Sequence, residues 1–326
     1  MDSNYFKNKI YKISTEQQFQ KLAIELFNFQ FKNNLFYKKY CDALKVNAKS
    51  VNKIEDIPFL PIEFFKTEKV LCKDVKSIHH FLSSGTTSKS KSIHYVECLD
   101  FYERNILKCF ETFWGESSKY CFLCLTPNKK NAPNSSLVHM CEFLINHTKK
   151  NGSGFYFQNY NALESQIKFC KEKNQPFIIL GLGFAILDFA EKSEINLDKG
   201  FVIETGGMKN KRKEIIREEL YEILTKKFKI NYIQSEYGMT ELLSQSYSMK
   251  GGNFKSPPWK KVLIRDKHNP IKINNNNTGG INIIDLSNIH SCAFIETQDL
   301  GRLNKNYFEV LGRLESTTLR GCNNLI

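Results

Sequence analysis

The amino-acid sequence predicts a layered α/β domain with a largely parallel sheet, followed by a smaller β-rich subdomain. Between about residues 97 and 235, segments with helical periodicity alternate with short apolar runs, which is the pattern of βαβ units. After about residue 250, glycine pairs, proline pairs and an asparagine run at 274–277 separate short strand-like pieces. The 326 residues, 41% of them hydrophobic, suffice for one large domain or two smaller ones.

A long helical segment is predicted near the N-terminus. Thr15-Glu16-Gln17-Gln18 has the form of a capping box, and an amphipathic run follows it from Phe19 to about Leu44. We expect this segment to pack across the main body. Two prolines between Ile57 and Phe65 then predict an extended connector.

The alternating segments can be assigned in order. Strands are predicted at 120–125, 155–157, 177–180, 201–204 and 232–235, helices near 97–113, 135–149, 162–173, 183–193 and 211–228, and later strands at 261–264, 280–284 and 293–295. We therefore predict an α/β body with its N-terminal helical segment over 1–250, a β-rich subdomain of the same unit over 251–311, and a short tail over 312–326. Ligands collect beyond the C-terminal ends of parallel strands, so the polar sequences that follow these strands are the candidate site.

Composition restricts the class of protein. The net charge is +13, but the positive residues are mostly lysines spread through helical segments, and no DNA- or RNA-recognition pattern accompanies them, so no nucleic-acid partner is expected. No apolar run long enough to span a membrane and no signal peptide is present, which predicts a cytoplasmic protein. The ten cysteines are expected to be free thiols. Cys121 and Cys124 lie in an apolar stretch that is typical of a buried strand rather than of a zinc or redox site.

The first candidate for chemistry is the hydroxyl-rich segment Ser83-Ser84-Gly85-Thr86-Thr87-Ser88-Lys89-Ser90-Lys91. Hydroxyls, the backbone N–H groups of a glycine-containing turn and a lysine charge are the groups that bind a polyphosphate. The segment lacks the second glycine of the Walker pattern. Taken alone, it also fits a solvated loop.

Four further motifs follow in order, three of them at the ends of predicted strands and one near the C-terminus. They are Glu204-Thr205-Gly206-Gly207, Ser235-Glu236-Tyr237-Gly238-Met239-Thr240-Glu241, Thr297-Gln298-Asp299-Leu300-Gly301-Arg302 and Leu311-Gly312-Arg313. Each one alone is common enough to be a turn. Their order and spacing after the hydroxyl-rich segment are much more specific.

In this order the motifs resemble those of the adenylate-forming superfamily of acyl-CoA synthetases, luciferases and peptide-synthetase adenylation domains. Within it, the chain is most similar to the acyl-protein synthetases of the bacterial bioluminescence fatty-acid reductase system (LuxE-like), with phenylacetate-CoA ligases as the next relatives. The resemblance covers about residues 60–326. It implies an enzyme that uses ATP and Mg²⁺ to activate a carboxylic acid as its acyl-AMP.

The resemblance also implies roles for individual residues at the nucleotide phosphates. The loop that grips the β- and γ-phosphates would be formed by Ser83, Ser84, Gly85, Thr86, Thr87, Ser88 and Lys89. Thr240 would hold the α-phosphate, and Glu241 would bind Mg²⁺ through a hard oxygen ligand. Lys89, Thr240 and Glu241 are thus expected to act directly in the chemistry.

The remaining roles concern the nucleoside. The resemblance places Gly206 and Gly207 beside the adenine, and Tyr237 stacked on it with Gly238 in the following turn. Asp299 would accept both ribose hydroxyls, and Arg313 would lie near the ribose. From the residues alone, Asp299 could instead simply end a strand, and Arg313 could be a surface ion-pair partner.

The chain departs from the superfamily pattern at its C-terminal end. Typical members continue past the hinge into a mobile lid with a catalytic lysine, whereas residues 314–326 are all that follows Arg313 here. We therefore expect the lid domain to be absent. Either another lysine contacts the acyl-adenylate, or the first step runs without that contact.

Cys322 is the candidate acyl acceptor. Acyl-protein synthetases carry the acyl group on a cysteine near the C-terminus, and Cys322 is the cysteine that follows Cys292 here. A thiolate attacks an acyl-adenylate readily, because AMP leaves easily and the thioester preserves the activation. Cys322 could instead be a small apolar residue that anchors the terminus.

The sequence thus predicts an ATP-dependent acid–thiol ligase for a fatty or related carboxylic acid. Cys322 would receive the acyl group first, and a partner protein, either an acyl carrier protein or a reductase, would receive it next. The alternative is direct transfer to coenzyme A or to an acyl carrier protein, and the rival from another class is a non-catalytic basic binding protein. The acid is predicted to lie near 135–140 and 181–184, where His139 is more typical of a packed side chain than of a catalytic one.

Overall fold

The computed structural model describes residues 2–76, 79–84, 90–206, 215–267, 269, 271–273 and 277–314. The helices in these residues are α1 Ser3–Lys9, α2 Glu16–Asn33, α3 Leu35–Ala43, α4 Phe64–Thr67, α5 Leu99–Trp114, α6 Ser136–Thr148, α7 Tyr160–Glu172, α8 Gly183–Lys192 and α9 Arg217–Phe228. Short 3₁₀ turns lie at Ile10–Lys12, Ile54–Asp56 and Ser117–Lys119.

The strands, again in chain order, are β1 Leu60–Pro61, β2 His79–Leu82, β3 Ile93–Val96, β4 Cys121–Leu125, β5 Gly154–Phe155, β6 Phe177–Leu182, β7 Gly200–Thr205, β8 Gln234–Tyr237, β9 Ser246–Ser248, β10 Phe254–Lys255, β11 Lys260–Arg265, β12 Thr278–Asp285, β13 Phe294–Leu303 and β14 Phe308–Arg313. Twelve of them form one sheet in the described part of the chain, in the order β11-β12-β13-β14-β10-β9-β8-β7-β6-β4-β5, with β1 beside β13. Strands β2 and β3 form a separate antiparallel hairpin.

The sheet changes character at β8. The neighbouring strands β5, β4, β6, β7 and β8 pair in parallel. From β8 through β9, β10, β14, β13 and β12 to β11, each neighbouring pair in the sheet is antiparallel. The predicted α/β fold with a parallel sheet is thereby confirmed. The β-rich segment after residue 250 continues the same sheet, because β14 pairs with β10 and β10 with β9.

Two hydrophobic cores lie on the two faces of the parallel strands. In β4, Cys121, Leu123 and Leu125 belong to one core, whereas Phe122 and Cys124 belong to the other. The alternation follows from the two-residue period of a strand. A strand with both faces covered by helices has one continuous apolar run as its sequence. β4 is such a strand and is buried along its whole length.

The N-terminal helices contact the β-rich end of the sheet, whereas the prediction placed this segment across the main body. The side chain of Thr15 accepts a hydrogen bond from the Gln18 N–H and so caps α2. The helical run is broken at Asn34, whose side chain caps α3. The buried amide of Gln30 in α2 donates to the carbonyls of Asn288 and Ile289 and thereby fixes the helix to the loop between β12 and β13.

Three predicted strands differ clearly from the observed ones, and the largest difference is at 293–295, where the observed strand is Phe294–Leu303. The strand predicted at 232–235 is observed at Gln234–Tyr237, and the one at 155–157 at Gly154–Phe155. Of the asparagine run at 274–277, residues 274–276 lie outside the described residues.

Among the described residues, no helix combines the length and the apolar character that a membrane span requires. The cytoplasmic location stays a prediction.

Candidate active site

The candidate site lies where β7 and β8 end. These strands are parallel neighbours, with Ile203 opposite Gln234 and Glu204 opposite Ser235. The chain leaves β7 at Gly206, which has φ +70°, a left-handed conformation that glycine adopts without strain. Gly206 and Tyr237 therefore emerge at the same edge of the sheet, where parallel strands collect ligands.

Tyr237 brings β8 into contact with β13. Its hydroxyl donates a hydrogen bond to Oδ2 of Asp299 at 2.7 Å. Its ring is 9% exposed and packs against Phe254 and Phe308, with ring centroids 5.7 and 5.5 Å away. Two motifs that are separated in sequence are thus joined at one point.

Arg313 completes this group from the neighbouring strand. It lies directly opposite Asp299 in the pairing of β13 with β14. Burial raises the pKa of Asp299, while the Tyr237 hydrogen bond and the Arg313 guanidinium act in the opposite direction. The three residues therefore form one electrostatic unit in which the carboxylate has a hydrogen-bond donor and a cation nearby.

The turn after β8 carries Thr240 and Glu241. Glu241 is 4% exposed, and burial raises the pKa of its carboxyl. A hydrogen bond from Ser92 and the charges of Lys66 and Arg313 partly offset this effect. The carboxylate therefore lies in a pocket that is poorly solvated but has cations nearby.

The hydroxyl-rich segment begins beside the same turn. Ser83 and Ser84 follow β2, and the Oγ of Ser83 accepts the N–H of Ser92 at 2.9 Å. The Ser83 N–H in turn donates to the Ser92 carbonyl at 3.1 Å. Ser92 is also one of the groups that lower the pKa of Glu241, so the base of this segment lies near the Glu241 carboxyl.

Several predicted site residues lie outside the described residues. These are Gly85, Thr86, Thr87, Ser88, Lys89, Gly207 and Cys322. Of the described ones, Tyr237, Asp299 and Arg313 are joined directly. Gly206 follows β7, and Gly238, Thr240 and Glu241 follow the neighbouring β8. Ser83 and Ser84 follow β2, and Ser83 is bonded to Ser92.

Gly238 is tightly enclosed by its neighbour. A Cβ atom at this position would lie 2.4 Å from Oε1 of Glu236. The other carboxylate oxygen of Glu236 accepts a hydrogen bond from the Thr205 hydroxyl at 2.5 Å. A buried carboxylate thus lies against the turn that leads to Thr240.

Sequence reasoning missed three side chains at this site. Glu236 lies within a recognised motif but received no role, and Ser92 and His94 were not singled out. The last two carry a signal in the sequence: in Ser92-Ile93-His94-Tyr95-Val96 the first, third and fifth residues share one face of a strand. Ser92 and His94 are both buried on that face.

The region predicted for the acid contains a packed histidine. His139 in α6 stacks on Tyr102 of α5 at 5.7 Å between ring centroids. Its Nε2 lies 3.0 Å from Oε1 of Glu103, and burial lowers the pKa of the ring. These contacts account for His139 as part of the packing between two helices.

Among the described residues of the site, Glu241 would be the protein ligand of a divalent cation. Mg²⁺ is bound in nucleotide sites by one or two carboxylates, with phosphate oxygens and water as the other ligands. Glu241 supplies such a carboxylate next to the start of the hydroxyl-rich segment. Its raised pKa fits this use, since a cation would replace the lost solvation of the ionised form.

Comparisons with known proteins found one family model and several relatives. A family model described as "Acyl-protein synthetase, LuxE" matches residues 1–326. The long-chain-fatty-acid–luciferin-component ligase of Aliivibrio fischeri is 22% identical in an alignment 355 residues long, which covers 99% of this chain and 92% of that protein. The ligase of the same name from Vibrio harveyi is 20% identical in an alignment 341 residues long, which covers 94% of this chain and 86% of that protein.

Solved structures of other proteins share this fold. One is a 2-hydroxyisobutyryl-CoA ligase in complex with 2-HIB-AMP and CoA, with a TM-score of 0.65 at 10% identity, covering 95% of this chain and 71% of that one. Another is ATP-bound MatB from Rhodopseudomonas palustris, with a TM-score of 0.56 at 13% identity, covering 73% of this chain and 48% of that one. The match thus takes in about half the length of MatB. At these identities the likeness shows the fold.

Proposed function

This chain belongs to the acyl-protein synthetase family, LuxE, and on that premise we propose that it activates a long-chain fatty acid with ATP and passes the acyl group to a thiol. The observation that carries the proposal is the convergence of Tyr237, Asp299 and Arg313 at the sheet edge from which the Thr240–Glu241 turn extends. The names of the relatives from Aliivibrio fischeri and Vibrio harveyi support a long-chain fatty acid as the substrate.

The nucleoside would lie against the end of β8. The adenine would stack on Tyr237 between that ring and the turn of Gly206 and Gly207. The Asp299 carboxylate would accept the ribose hydroxyls, and Arg313 would lie beside them. This placement is supported by the hydrogen bond between Tyr237 and Asp299, which holds an aromatic face and a carboxylate side by side.

The phosphates would extend from Thr240 toward the hydroxyl-rich segment. Thr240 would bind the α-phosphate, and Ser83 to Lys89 would hold the β- and γ-phosphates. Glu241 would hold Mg²⁺, which supplies positive charge to the phosphate oxygens. The hydrogen bond between Ser83 and Ser92, together with the effect of Ser92 on the pKa of Glu241, supports the proximity of Ser83 and Glu241.

The first step is attack of the fatty-acid carboxylate on the α-phosphorus. A P–O bond forms to the carboxylate oxygen, the bond to the bridging oxygen breaks, and pyrophosphate leaves. Charge builds up on the phosphoryl oxygens, so positioning and nearby donors supply most of the acceleration. No general base is required, because the attacking carboxylate is already ionised.

Transfer of the acyl group follows. The thiolate of Cys322 attacks the acyl carbonyl, AMP leaves, and a thioester forms on the protein. The acyl group would then pass to a partner protein, which is an acyl carrier protein or a reductase. Direct transfer to coenzyme A is an outcome that the experiment below distinguishes.

The test has two arms. In the first, ATP–pyrophosphate exchange is measured with fatty acids of increasing chain length, and exchange that depends on a long-chain acid is expected. In the second, the protein is incubated with ATP and labelled fatty acid, and hydroxylamine-labile label is measured on the wild type, on Cys322→Ser and on the control Cys98→Ser.

We expect label on the wild type and on Cys98→Ser, and none on Cys322→Ser. Cys98 suits the control because it is a half-buried free thiol at the start of α5. Absence of exchange with every acid would refute the activity. Exchange without protein labelling, together with acyl-CoA formation when coenzyme A is added, would refute the role of Cys322.

A further inference from the structure

We propose that His94 is a positioning residue of the activating site, because its ring holds the backbone of the Thr240–Glu241 turn. The role rests on the proposed function, since the turn matters only if it presents Thr240 and Glu241 to the nucleotide. His94 lies outside all five motifs on which the resemblance rests.

His94 joins the hairpin of β2 and β3 to this turn. It is the second residue of β3 and is 1% exposed. Its Nδ1 lies 2.8 Å from the carbonyl oxygen of Thr240, and its Nε2 lies 3.1 Å from Oδ1 of Asn288. Ser83 and Ser84, at the start of the hydroxyl-rich segment, directly follow β2 of the same hairpin, so the ring connects this hairpin to the turn that carries Thr240 and Glu241.

Asn288 extends the connection to the next carbonyl. Its Nδ2 donates to the carbonyl oxygens of Glu241 and Cys292, each at 2.9 Å. Two carbonyl acceptors fix the orientation of the amide, which leaves Oδ1 facing His94. The consecutive carbonyls of Thr240 and Glu241 are therefore both held by this pair of side chains, which fixes the peptide planes of the turn.

The hydrogen bond to Thr240 is available in either charge state of the ring. Burial lowers the pKa of His94, while the bonds to Asn288 and Thr240 and the charge of Asp285 act in the opposite direction. Both partners of the ring are oxygen acceptors, so a protonated ring donates to both, and a neutral ring keeps the bond to Thr240 when its proton is on Nδ1. Phe65 packs edge-on against the ring at 5.9 Å and holds its plane.

The experiment compares three substitutions at this position. In His94→Asn the side-chain amide can replace the Nδ1 donor, in His94→Gln it reaches toward the position of Nε2, and His94→Phe keeps the ring without a donor. The control is His80→Phe, at an exposed histidine of β2 in the same hairpin. For each variant kcat and the KM for ATP are measured by ATP–pyrophosphate exchange, and the free energy of unfolding by urea titration.

We expect His94→Phe to lower kcat by about 100-fold with little change in the KM for ATP, because a displacement of about 1 Å at a reacting group has this effect. His94→Asn should recover most of the loss, and His80→Phe should match the wild type. If His94→Phe fails to fold, the role of His94 is tested by comparing kcat of His94→Asn with kcat of His94→Gln, and the higher value is expected for His94→Asn.

Two results would overturn the role of His94. One is exchange by His94→Phe at the wild-type rate. The other is retention of activity by His94→Gln but not by His94→Asn, because the bond to Thr240 would then be dispensable. Absence of exchange in the wild type would instead refute the proposed function.

Discussion

The hydroxyl of Tyr237 donates a 2.7 Å hydrogen bond to Oδ2 of Asp299 and so joins the end of β8 to the middle of β13. The two residues belong to different motifs and to strands that are not neighbours in the sheet. Burial raises the pKa of Asp299, and this hydrogen bond and Arg313 act against that rise. The ring that would bind adenine therefore also helps to keep the carboxylate ionised for the ribose.

Tyr237→Phe tests this coupling. The ring surface is retained, but Asp299 loses a donor, so a hydrogen bond to a charged group worth roughly 1.5–3 kcal/mol is removed. We expect the KM for ATP to rise by about ten-fold or more in ATP–pyrophosphate exchange. The control is Tyr232→Phe, at an exposed tyrosine before β8. An unchanged KM would show that Asp299 does not depend on Tyr237.

The buried carboxyl of Glu241 predicts a pH dependence of nucleotide binding. Burial disfavours the ionised form and so raises its pKa, which means that in the free protein the carboxyl keeps its proton to a higher pH than an exposed glutamate does. A cation reverses the penalty, and binding of Mg²⁺ with ATP should then release a proton as long as the carboxyl is partly protonated. Affinity should therefore increase as the pH rises through this pKa.

Calorimetry in buffers of different ionisation enthalpy measures this proton release. We expect Glu241→Gln to abolish the release and to weaken binding of Mg²⁺ with ATP. The matched control is Glu296→Gln, since burial also raises the pKa of Glu296 but its partner is Arg265. Equal proton release by the wild type and by Glu241→Gln would contradict the assignment of Glu241.

The position of β8 shows what hydrophobic patterning can and cannot predict. The strand was predicted to begin at the apolar pair Tyr232-Ile233, two residues too early, because β8 begins at Gln234. Its polar residues are buried because each has a specific partner. The side-chain oxygen of Gln234 accepts the Val202 N–H at 3.2 Å, Ser235 pairs with Tyr221, and Glu236 pairs with Thr205.

The same limit applies to the site. The motifs around Tyr237, Thr240 and Asp299 could be recognised from their order along the chain, and the structure brings them together. Ser92 and His94 show only the two-residue period of a strand, which does not reveal that His94 contacts Thr240 or that Ser92 affects the pKa of Glu241, each about 150 residues away. Such pairings require the tertiary structure.

Asp285 predicts a stability effect that is distinct from the chemistry. Its carboxylate is fully buried and accepts hydrogen bonds from the backbone N–H groups of Leu243, Ser244 and Ser287 and from both serine hydroxyls. In Asp285→Asn an N–H group would face these donors. We expect a loss of about 3 kcal/mol in the free energy of unfolding.

Urea denaturation measures this loss as a lower midpoint at an unchanged m-value. The control is Asp198→Asn, because Asp198 is exposed and pairs with Lys171 at the surface, where the midpoint should hardly change. Equal midpoints for the wild type and for Asp285→Asn would show that this network adds little to stability.

Gly238 gives a prediction that links packing to catalysis. A Cβ atom there would lie 2.4 Å from Oε1 of Glu236, so Gly238→Ala must displace a carboxylate that is held by the Thr205 hydroxyl. The turn that leads to Thr240 would shift with it, and we expect kcat for exchange to fall by about ten-fold or more. Gly154→Ala is the matched control, because the nearest atom to its Cβ would be Cε2 of Tyr156 at 3.7 Å, an ordinary contact.

The double variant Gly238→Ala/Glu236→Ala separates crowding from other causes. Removing the Glu236 carboxylate clears the space that the new methyl group needs, so the double variant should be more active than Gly238→Ala alone if crowding is the cause. Its effect should then differ from the sum of the two single effects, as is usual for residues in contact. Purely additive losses would mean that Gly238 is required for a different reason, such as close approach of its backbone to the nucleotide.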